Sequence, residues 1–349
     1  MFNNGLVHRH DMCQAGNFMS DNNVMDVRNL KVKDDEDGQR VDRWLKKHIG
    51  KTPFALMQKM IRTGQVRVDG KRVKPDTRIF AGQEVRIPPM ENKHGPTKFK
   101  PQAGDKDFLK SITLYDDGDI LVLNKPYGLP SQGGSKITRH VDGLLEVLTN
   151  KKGVRPKLVH RLDRDTSGVL ICARKVKTVR ALGRIFQQKD IRKYYWGITI
   201  GVPEEMEGAV IAPLGKGVGD MKDIMVVDEE AGKYSKTEFS VLETAGKDAS
   251  FVAFWPRTGR THQIRAHATY GLGTPLLGDD KYQGVTDMFD SIGASARLHL
   301  HAYRIMCPHP NEQGFLDIRA PLPQDLKKSF SAFGFHGDTN SDPFEDVEI

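Results

Sequence analysis

Positive charge in this chain is gathered into one short stretch. Residues 39–90 hold thirteen Lys or Arg against four Asp or Glu, a net +9, whereas the whole 349-residue chain carries only +8. A stretch that short and that charged can fold only as a small module with its cations outside. Its patterning agrees. Val41, Trp44, Leu45, His48 and Ile49 mark one amphipathic helix. Thr52 as cap and Pro53 at the first helical position open a second, in which Phe54, Met57 and Ile61 share a face. Val66-Arg67-Val68, the turn Asp69-Gly70, Lys71-Arg72-Val73 and Glu84-Val85-Arg86-Ile87 then read as strands. Helix, helix, strand, turn, strand with basic outer faces points to a polyanionic partner, as does a pI near 9.2.

The rest of the chain is organised around that module. Residues 1–38 have no apolar core of a secretory signal and no strong periodicity. They read as a disordered extension, or as sequence upstream of a later start such as Met25. Residues 91–106 carry Pro, Gly and Lys without periodicity and read as a linker. From 107 to 335 short β-like runs (DILVLNKP, SGVLICAR, YYWGITIG, SVLETA, FVAFWP) alternate with short helical ones. That is an α+β domain with a mixed, mainly antiparallel sheet. Residues 336–349 hold five acids and no Lys or Arg, and read as a disordered acidic tail. No apolar run reaches the ~20 residues a membrane helix needs. Cys13, Cys172 and Cys307 have neither the number nor the spacing of a disulfide framework or thiolate zinc site, which fits a reducing cytoplasm. No GxGxxG or GxxxxGK[ST] loop is present, so no nucleotide cofactor is expected.

Three clusters could carry chemistry. In HRLDRDTSG (His160–Gly168), Asp163 lies in a polar loop before an apolar strand. Asp163 and Asp165 could instead be turn or capping residues, or share a hard cation. In RTGRTHQIRAH (Arg257–His267), Thr261 can cap a helix that ends at Gly271. His262 and His267 are five apart, which is not the spacing of a helical zinc pair. In RKYYWG (Arg192–Gly197), strand alternation sends Tyr194 and Tyr195 to opposite faces, one to the core and one able to stack on a base.

Taken in order, these clusters resemble the RluA-type family of pseudouridine synthases. The matching elements are LVLNKPYGLPSQGG (Leu121–Gly134), HRLDRDTSGVL (His160–Leu170), KYYWGITIG (Lys193–Gly201), TGRTHQIRAHA (Thr258–Ala268), PLLGDDKYQG (Pro275–Gly284) and RLHLHAY (Arg297–Tyr303). The basic module resembles the S4 RNA-binding domain through RVDRWL, FALMQKMIRTGQVRVDGKRV and GQEVRI. Gly197 and Ser235 stand where many relatives have Ala.

The resemblance implies that Asp163 is the nucleophile. It implies that Tyr195 stacks on the target uracil and assists proton transfer, and that Arg265 pairs with the Asp163 carboxylate. Arg161 would fill the space left by the extruded base. Lys51, Lys59, Arg62, Arg67 and Lys71 would face RNA, and the NKP-x-GL stretch would form part of the active-site wall. The implied reaction converts uridine to pseudouridine without a cofactor or metal. The implied partner is 23S ribosomal RNA or its large-subunit precursor, bound by a monomer, with transfer RNA as the alternative substrate.

Readings from other classes fit the residues less well. A non-catalytic S4-type RNA-binding protein would have no use for intact HRLD and HQIR elements. A metal-dependent transferase using Asp163 and Asp165 lacks a third clustered acid. A metalloprotein using His299 and His301, which alternate onto one strand face, lacks an evident third ligand.

Overall fold

The computed structural model describes residues 24–25, 27–49, 52–91, 99–134, 137–188, 191–282, 292–311, 314–337 and 342–347. The chain divides into two compact units, residues 1–98 and 99–349.

In the first unit, helices α1 (Val41–His48) and α2 (Phe54–Arg62) accompany a four-stranded antiparallel sheet. Its strands are β2 (Arg28–Lys31), β3 (Arg67–Val68), β4 (Lys71–Arg72) and β5 (Glu84–Ile87) in the order β2-β5-β3-β4. A separate pair joins β1 (Val24–Met25) to β6 (Met90–Glu91). Trp44, Leu45, Met57, Met60, Ile61, Val66, Ile79, Val85 and Ile87 form the core. Phe54, expected inside, is 65% exposed, and Met60 takes the core position instead.

Residues 28–38 belong to this unit, which corrects the reading of 1–38 as wholly disordered. Arg28–Lys31 pair with Glu84–Ile87, and Glu36 is fully buried. Its carboxylate accepts from Trp44 Nε1 (2.7 Å) and Lys47 Nζ (2.8 Å) and meets His48 Nε2 (2.8 Å). The bond from Lys47 outweighs desolvation, with help from His48 and Trp44, and holds the acid at a pKa of about 2. Pro53 rather than Thr52 is the residue before α2, and the Thr52 hydroxyl instead donates to Ile49 O (2.9 Å).

The second unit begins inside the stretch read as a linker. Helix α3 (Asp105–Ser111) starts there, and Asp105 is buried against Arg139 (2.5 Å). The main sheet contains β7 (Thr113–Asp116), β8 (Ile120–Lys125), β9 (Lys157–Leu158), β10 (Ser167–Ala173), β11 (Arg192–Ile200), β12 (Glu207–Ile211), β15 (Lys236–Ala245), β16 (Ala249–Pro256), β17 (Leu300–Pro308) and β18 (Phe315–Arg319). A small ribbon adds β13 (Leu214–Lys216) and β14 (Met225–Val227). The central order is β12-β15-β16-β11-β17-β10-β8-β7, antiparallel at every pairing except β10 with β17. The domain is therefore α+β with a mixed, mainly antiparallel sheet. All seven residues of β10 and all eight of β16 are buried, which explains their near-continuous apolar runs.

The parallel junction is tight. Gly168 has φ +112°, and a Cβ there would lie 2.2 Å from Ala302 O. Only glycine lets β10 enter beside β17 at this point. Helices α4 (Val141–Leu144), α5 (Val176–Gln188) and α7 (Gln324–Phe333) complete the layers with α6 (Gln263–Ala266), which runs into a π-helical turn at His267–Gly271.

The acidic tail is not wholly loose. Phe344 is buried in the cluster holding Tyr194, Trp255 and Phe330, with ring centroids 5.0 Å from Tyr194 and 5.8 Å from Trp255. No helix among the described residues is long and apolar enough to cross a membrane.

Candidate active site

The loop before β10 is fastened from both sides. Ser131 Oγ donates to Leu162 O (2.6 Å) and accepts from Leu162 N–H (3.0 Å), all in buried surroundings. The buried Lys125 ammonium donates to the carbonyls of Pro126 (3.1 Å), Leu129 (2.8 Å) and Arg164 (3.1 Å). Burial lowers the Lys125 pKa to about 7, opposed by the charges of Asp165 and Asp163. Gly128 N–H also bonds Arg164 O (3.0 Å), and Thr166 N–H closes the turn onto Asp163 O (3.2 Å). His160 Nε2 accepts from Ile171 N–H (2.9 Å) while its ring stacks on Phe186. Burial and the nearby Lys193 charge drop the His160 pKa to about 3, so it is a neutral structural group. Asp163 is thus pinned through the backbone on each side of it. The NKPYGLPS segment, expected as a wall, is the clamp.

The Asp163 side chain, 32% exposed, faces a cavity of about 310 Å³. Tyr195, Lys193, Arg161, His262 and Arg265 line the same cavity, with Leu300 and Ile264 as apolar wall. Tyr195 reaches it because alternation along β11 sends Tyr194 the other way. Tyr194 is buried, and its hydroxyl donates to Asp342 (3.1 Å). Between the two adjacent tyrosines, only Tyr195 can meet a ligand at this site. Burial raises its pKa, and the Asp163 charge raises it further, so the phenol stays protonated.

Arg265 departs from expectation. It is nearly fully buried and forms a two-pronged ion pair with Asp279: Nε to Oδ2 at 2.6 Å and Nη2 to Oδ1 at 2.5 Å. Among the described residues the Asp163 carboxylate lies within ion-pair distance only of His262 Nε2, at 3.9 Å. Asp163 reaches Arg265 through its field alone. Burial opposes the Arg265 charge, but the bond to Asp279 and the charges of Asp279 and Asp163 raise its pKa overall. The physical reason is reach: Asp279 lies fully buried beside the guanidinium and matches its fork.

The spacing of His262 excludes it from a helical zinc pair, and in the structure it connects the site. Its backbone is left-handed (φ 50°), Nδ1 meets Tyr282 Oη (3.0 Å), and Nε2 meets Arg265 Nη1 (3.3 Å). Burial, then the Arg265 charge, lowers its pKa. Gln263 is equally structural: its Oε1 accepts from Thr258 Oγ1 and Arg260 N–H, and its Nε2 donates to Lys236 O. His262 rather than Thr261 precedes α6. Thr261 Oγ1 instead accepts from Arg161 Nη2 (3.2 Å), tying the two motif loops together.

Asp165 faces Arg164 (2.9 Å) and does not line the cavity. His299 and His301 spend their ring nitrogens internally, on Leu277 O and Ser329 Oγ, and on Ser167 Oγ and Ala320 O. A fixed carboxylate, an aromatic hydroxyl across from it and a surrounding ring of cations can take up a neutral base attached to an anionic strand.

A model for "RNA pseudouridylate synthase" matches residues 119–270, the span that carries Asp163, Tyr195 and Arg265. Over 310 residues the chain is 36% identical to ribosomal large subunit pseudouridine synthase C of Vibrio vulnificus, covering 86% of this chain and 95% of that one. The chain belongs to the RluA-type pseudouridine synthase family. The synthase is also 36% identical over 311 residues to the protein of the same name in Escherichia coli K12, with the same coverage. Among solved structures it resembles human RNA pseudouridylate synthase domain containing 4, with a TM-score of 0.56 and 28% identity over 66% of this chain and 96% of the human one. The enzyme is an RNA pseudouridine synthase and RNA is its substrate.

In the first unit, Lys59, Arg62, Arg67 and Lys71 are exposed, and none has a carboxylate within ion-pair distance among the described residues. Lys51 lies outside the described residues. The sequence reading missed Arg72 and Arg86. Register sets both directly opposite Arg67, so three arginines share one sheet face. Like charges in cross-strand register destabilise a sheet unless an anion compensates.

Proposed function

We propose that this synthase isomerises specific uridines of 23S ribosomal RNA in the large subunit, with Asp163 as nucleophile. The observation that carries the catalytic part is the placement of Asp163. Its carboxylate accepts no hydrogen bond among the described residues, and it faces a cavity shared with a protonated, half-buried Tyr195. The names of the relatives carry the substrate part.

The reaction breaks the N1–C1′ bond, turns the uracil, forms C5–C1′, and moves a proton from C5 while N1 gains one. No net electron transfer occurs. A carboxylate whose lone pairs are not committed can attack an electrophilic carbon. Tyr195 supplies a face on which a detached uracil can rest and turn. Arg265 contributes a fixed positive field beside the carboxylate. Extruding a base from folded RNA costs a few kcal/mol. Phosphate contacts offset that cost, and Lys59, Arg62, Arg67 and Lys71, joined by Arg72 and Arg86, make the first unit an S4-type RNA-binding module. Arg161, exposed at the cavity mouth, enters the gap left by the base. The enzyme works in the cytoplasm as a monomer.

The test is genetic and chemical together. The gene is deleted, pseudouridines are mapped across all ribosomal and transfer RNA, and the strain is complemented with wild type or Asp163→Ala. Defined 23S marks should vanish and return only with wild type. Loss confined to transfer RNA refutes the substrate assignment, and full restoration by Asp163→Ala refutes the nucleophile.

A further inference from the structure

A second cavity, of about 350 Å³, adjoins the one holding Asp163 and shares Phe186, Lys193, Pro256, Thr258, Gly259 and Arg260 with it. We propose that this second cavity is a subsite for one of the two backbone phosphates flanking the extruded uridine, gripped by Lys193 and Arg260. The inference rests on the substrate being RNA, not on which RNA it is.

The charge balance points to an anion. Lys193 and Arg260 line this cavity, and among the described residues its lining holds no carboxylate. Lys193 sits between the two cavities, half-buried, and no described residue bonds or pairs with its ammonium. Burial alone draws its pKa down to about 8. A half-buried ammonium without a counter-charge is an expense to the fold that a bound anion removes. Arg260 is oriented by one bond, Nε to Tyr234 O (3.2 Å). That leaves the terminal nitrogens, which carry the fork suited to phosphate, for another acceptor.

The location decides which anion. A base in the first cavity remains tied through its ribose to two phosphates. A cationic pocket sharing six residues with the base site is where the strand must pass. Phe186, Ile191 and Pro256 give it apolar walls beside the two cations.

The test uses whichever RNA the wild type converts, so that failure of the 23S assignment does not disable it. Synthetic substrates carry a single neutral methylphosphonate at one linkage at a time around the target uridine. Steady-state kinetics are measured for the full-length wild type, Arg260→Gln and Lys193→Met. One of the two adjacent linkages should raise KM about tenfold in wild type when neutralised, the scale of one charge-assisted bond. That penalty should fall below about twofold in each variant, because the partner is already gone. If neither adjacent linkage costs more than distant ones, the subsite does not exist. A penalty undiminished in Arg260→Gln, an exposed position whose change leaves the core intact, likewise overturns it whatever the behaviour of Lys193→Met.

Discussion

Ser131→Ala should damage both the stability of the second unit and its chemistry, although Ser131 is no part of the reaction. Ser131 is 4% exposed and Leu162 6% exposed. One hydroxyl satisfies both backbone groups of Leu162, at 2.6 Å and 3.0 Å. Removing it leaves a buried N–H and a buried C=O without partners. Each costs about 1–3 kcal/mol, so the pair should cost ~2–4 kcal/mol after some relaxation. For a unit of this size that corresponds to a melting temperature lower by roughly 5–15 °C. Leu162 immediately precedes Asp163, so the loop should also sample positions that take the carboxylate off line. A misplacement near 1 Å is worth on the order of a hundredfold in rate. The measurements are thermal unfolding and single-turnover conversion at saturating RNA and at a temperature where the variant is folded. Thr149→Ala is the control, since its hydroxyl bonds Glu146 O at an exposed site and should cost under about 0.5 kcal/mol. If Ser131→Ala melts within a degree of wild type and turns over normally, the clamp reading is wrong.

Acid should unfold the second unit before its carboxylates titrate. His160 is held at a pKa of about 3, and His299 and His301 at about 4, chiefly by burial, against an ordinary 6.5. The unfolded chain therefore binds more protons, and stability is full above pH ~6.5 and falls as pH drops toward ~4, by up to ~4 kcal/mol per pH unit. Urea midpoints unchanged between pH 7 and 5 would refute this. Phe344→Ala should cost ~3–4 kcal/mol, and a chain ending at Gly337 should melt measurably lower, because a buried ring packs on Tyr194 and Trp255. An intact melting temperature after truncation would show the tail to be dispensable. Lys59→Gln with Arg62→Gln should flatten the dependence of log affinity on log salt by ~1.5 units without changing conversion of bound RNA. An unchanged slope would remove both from the RNA-binding face.

Sequence was most informative where chemistry forces residue types into short runs. HRLD, the KYY of KYYWGITIG and HQIR mark the cavity walls because each motif lies on one loop or strand, so local order and local geometry coincide. Alternation alone separated Tyr194 from Tyr195. What stayed illegible depends on pairing across the chain. The partner of Arg265 lies fourteen residues away in the GDDK segment, and nothing in the spacing distinguishes Asp279 from Asp163 as that partner. Arg72 and Arg86 become neighbours of Arg67 only through β-register. Residues 28–38 looked featureless because their attachment is made by long-range contacts: a four-residue edge strand, the buried Val32 and Glu36, and backbone bonds to Ile79 and Gln83. The tail misled through composition: five acids conceal the buried Phe344, and one of them, Asp342, itself accepts from the Tyr194 hydroxyl.

The pairing of Arg265 with Asp279 bears directly on the proposed role of Asp163 as nucleophile. A two-pronged bond from an arginine to Asp163 would occupy both carboxylate oxygens, and an attack on carbon would first have to break it. Such a pair is worth 1.5–3 kcal/mol per charged bond, which would be added to the barrier. Here the bond is made elsewhere. Asp279 satisfies the guanidinium at 2.5 Å and 2.6 Å, and both side chains are buried. Breaking it by removing one partner would cost about 3–5 kcal/mol, so it does not rearrange during turnover. Asp163 is left beside a permanent positive group without being bonded to it, and His262 stands off at 3.9 Å. Its position comes instead from Ser131, Lys125 and Gly128, which grip backbone and leave the side chain alone. For the proposed nucleophile, a grip on the main chain and a charge supplied by a separate ion pair resolve the conflict between fixing a carboxylate and keeping its lone pairs available.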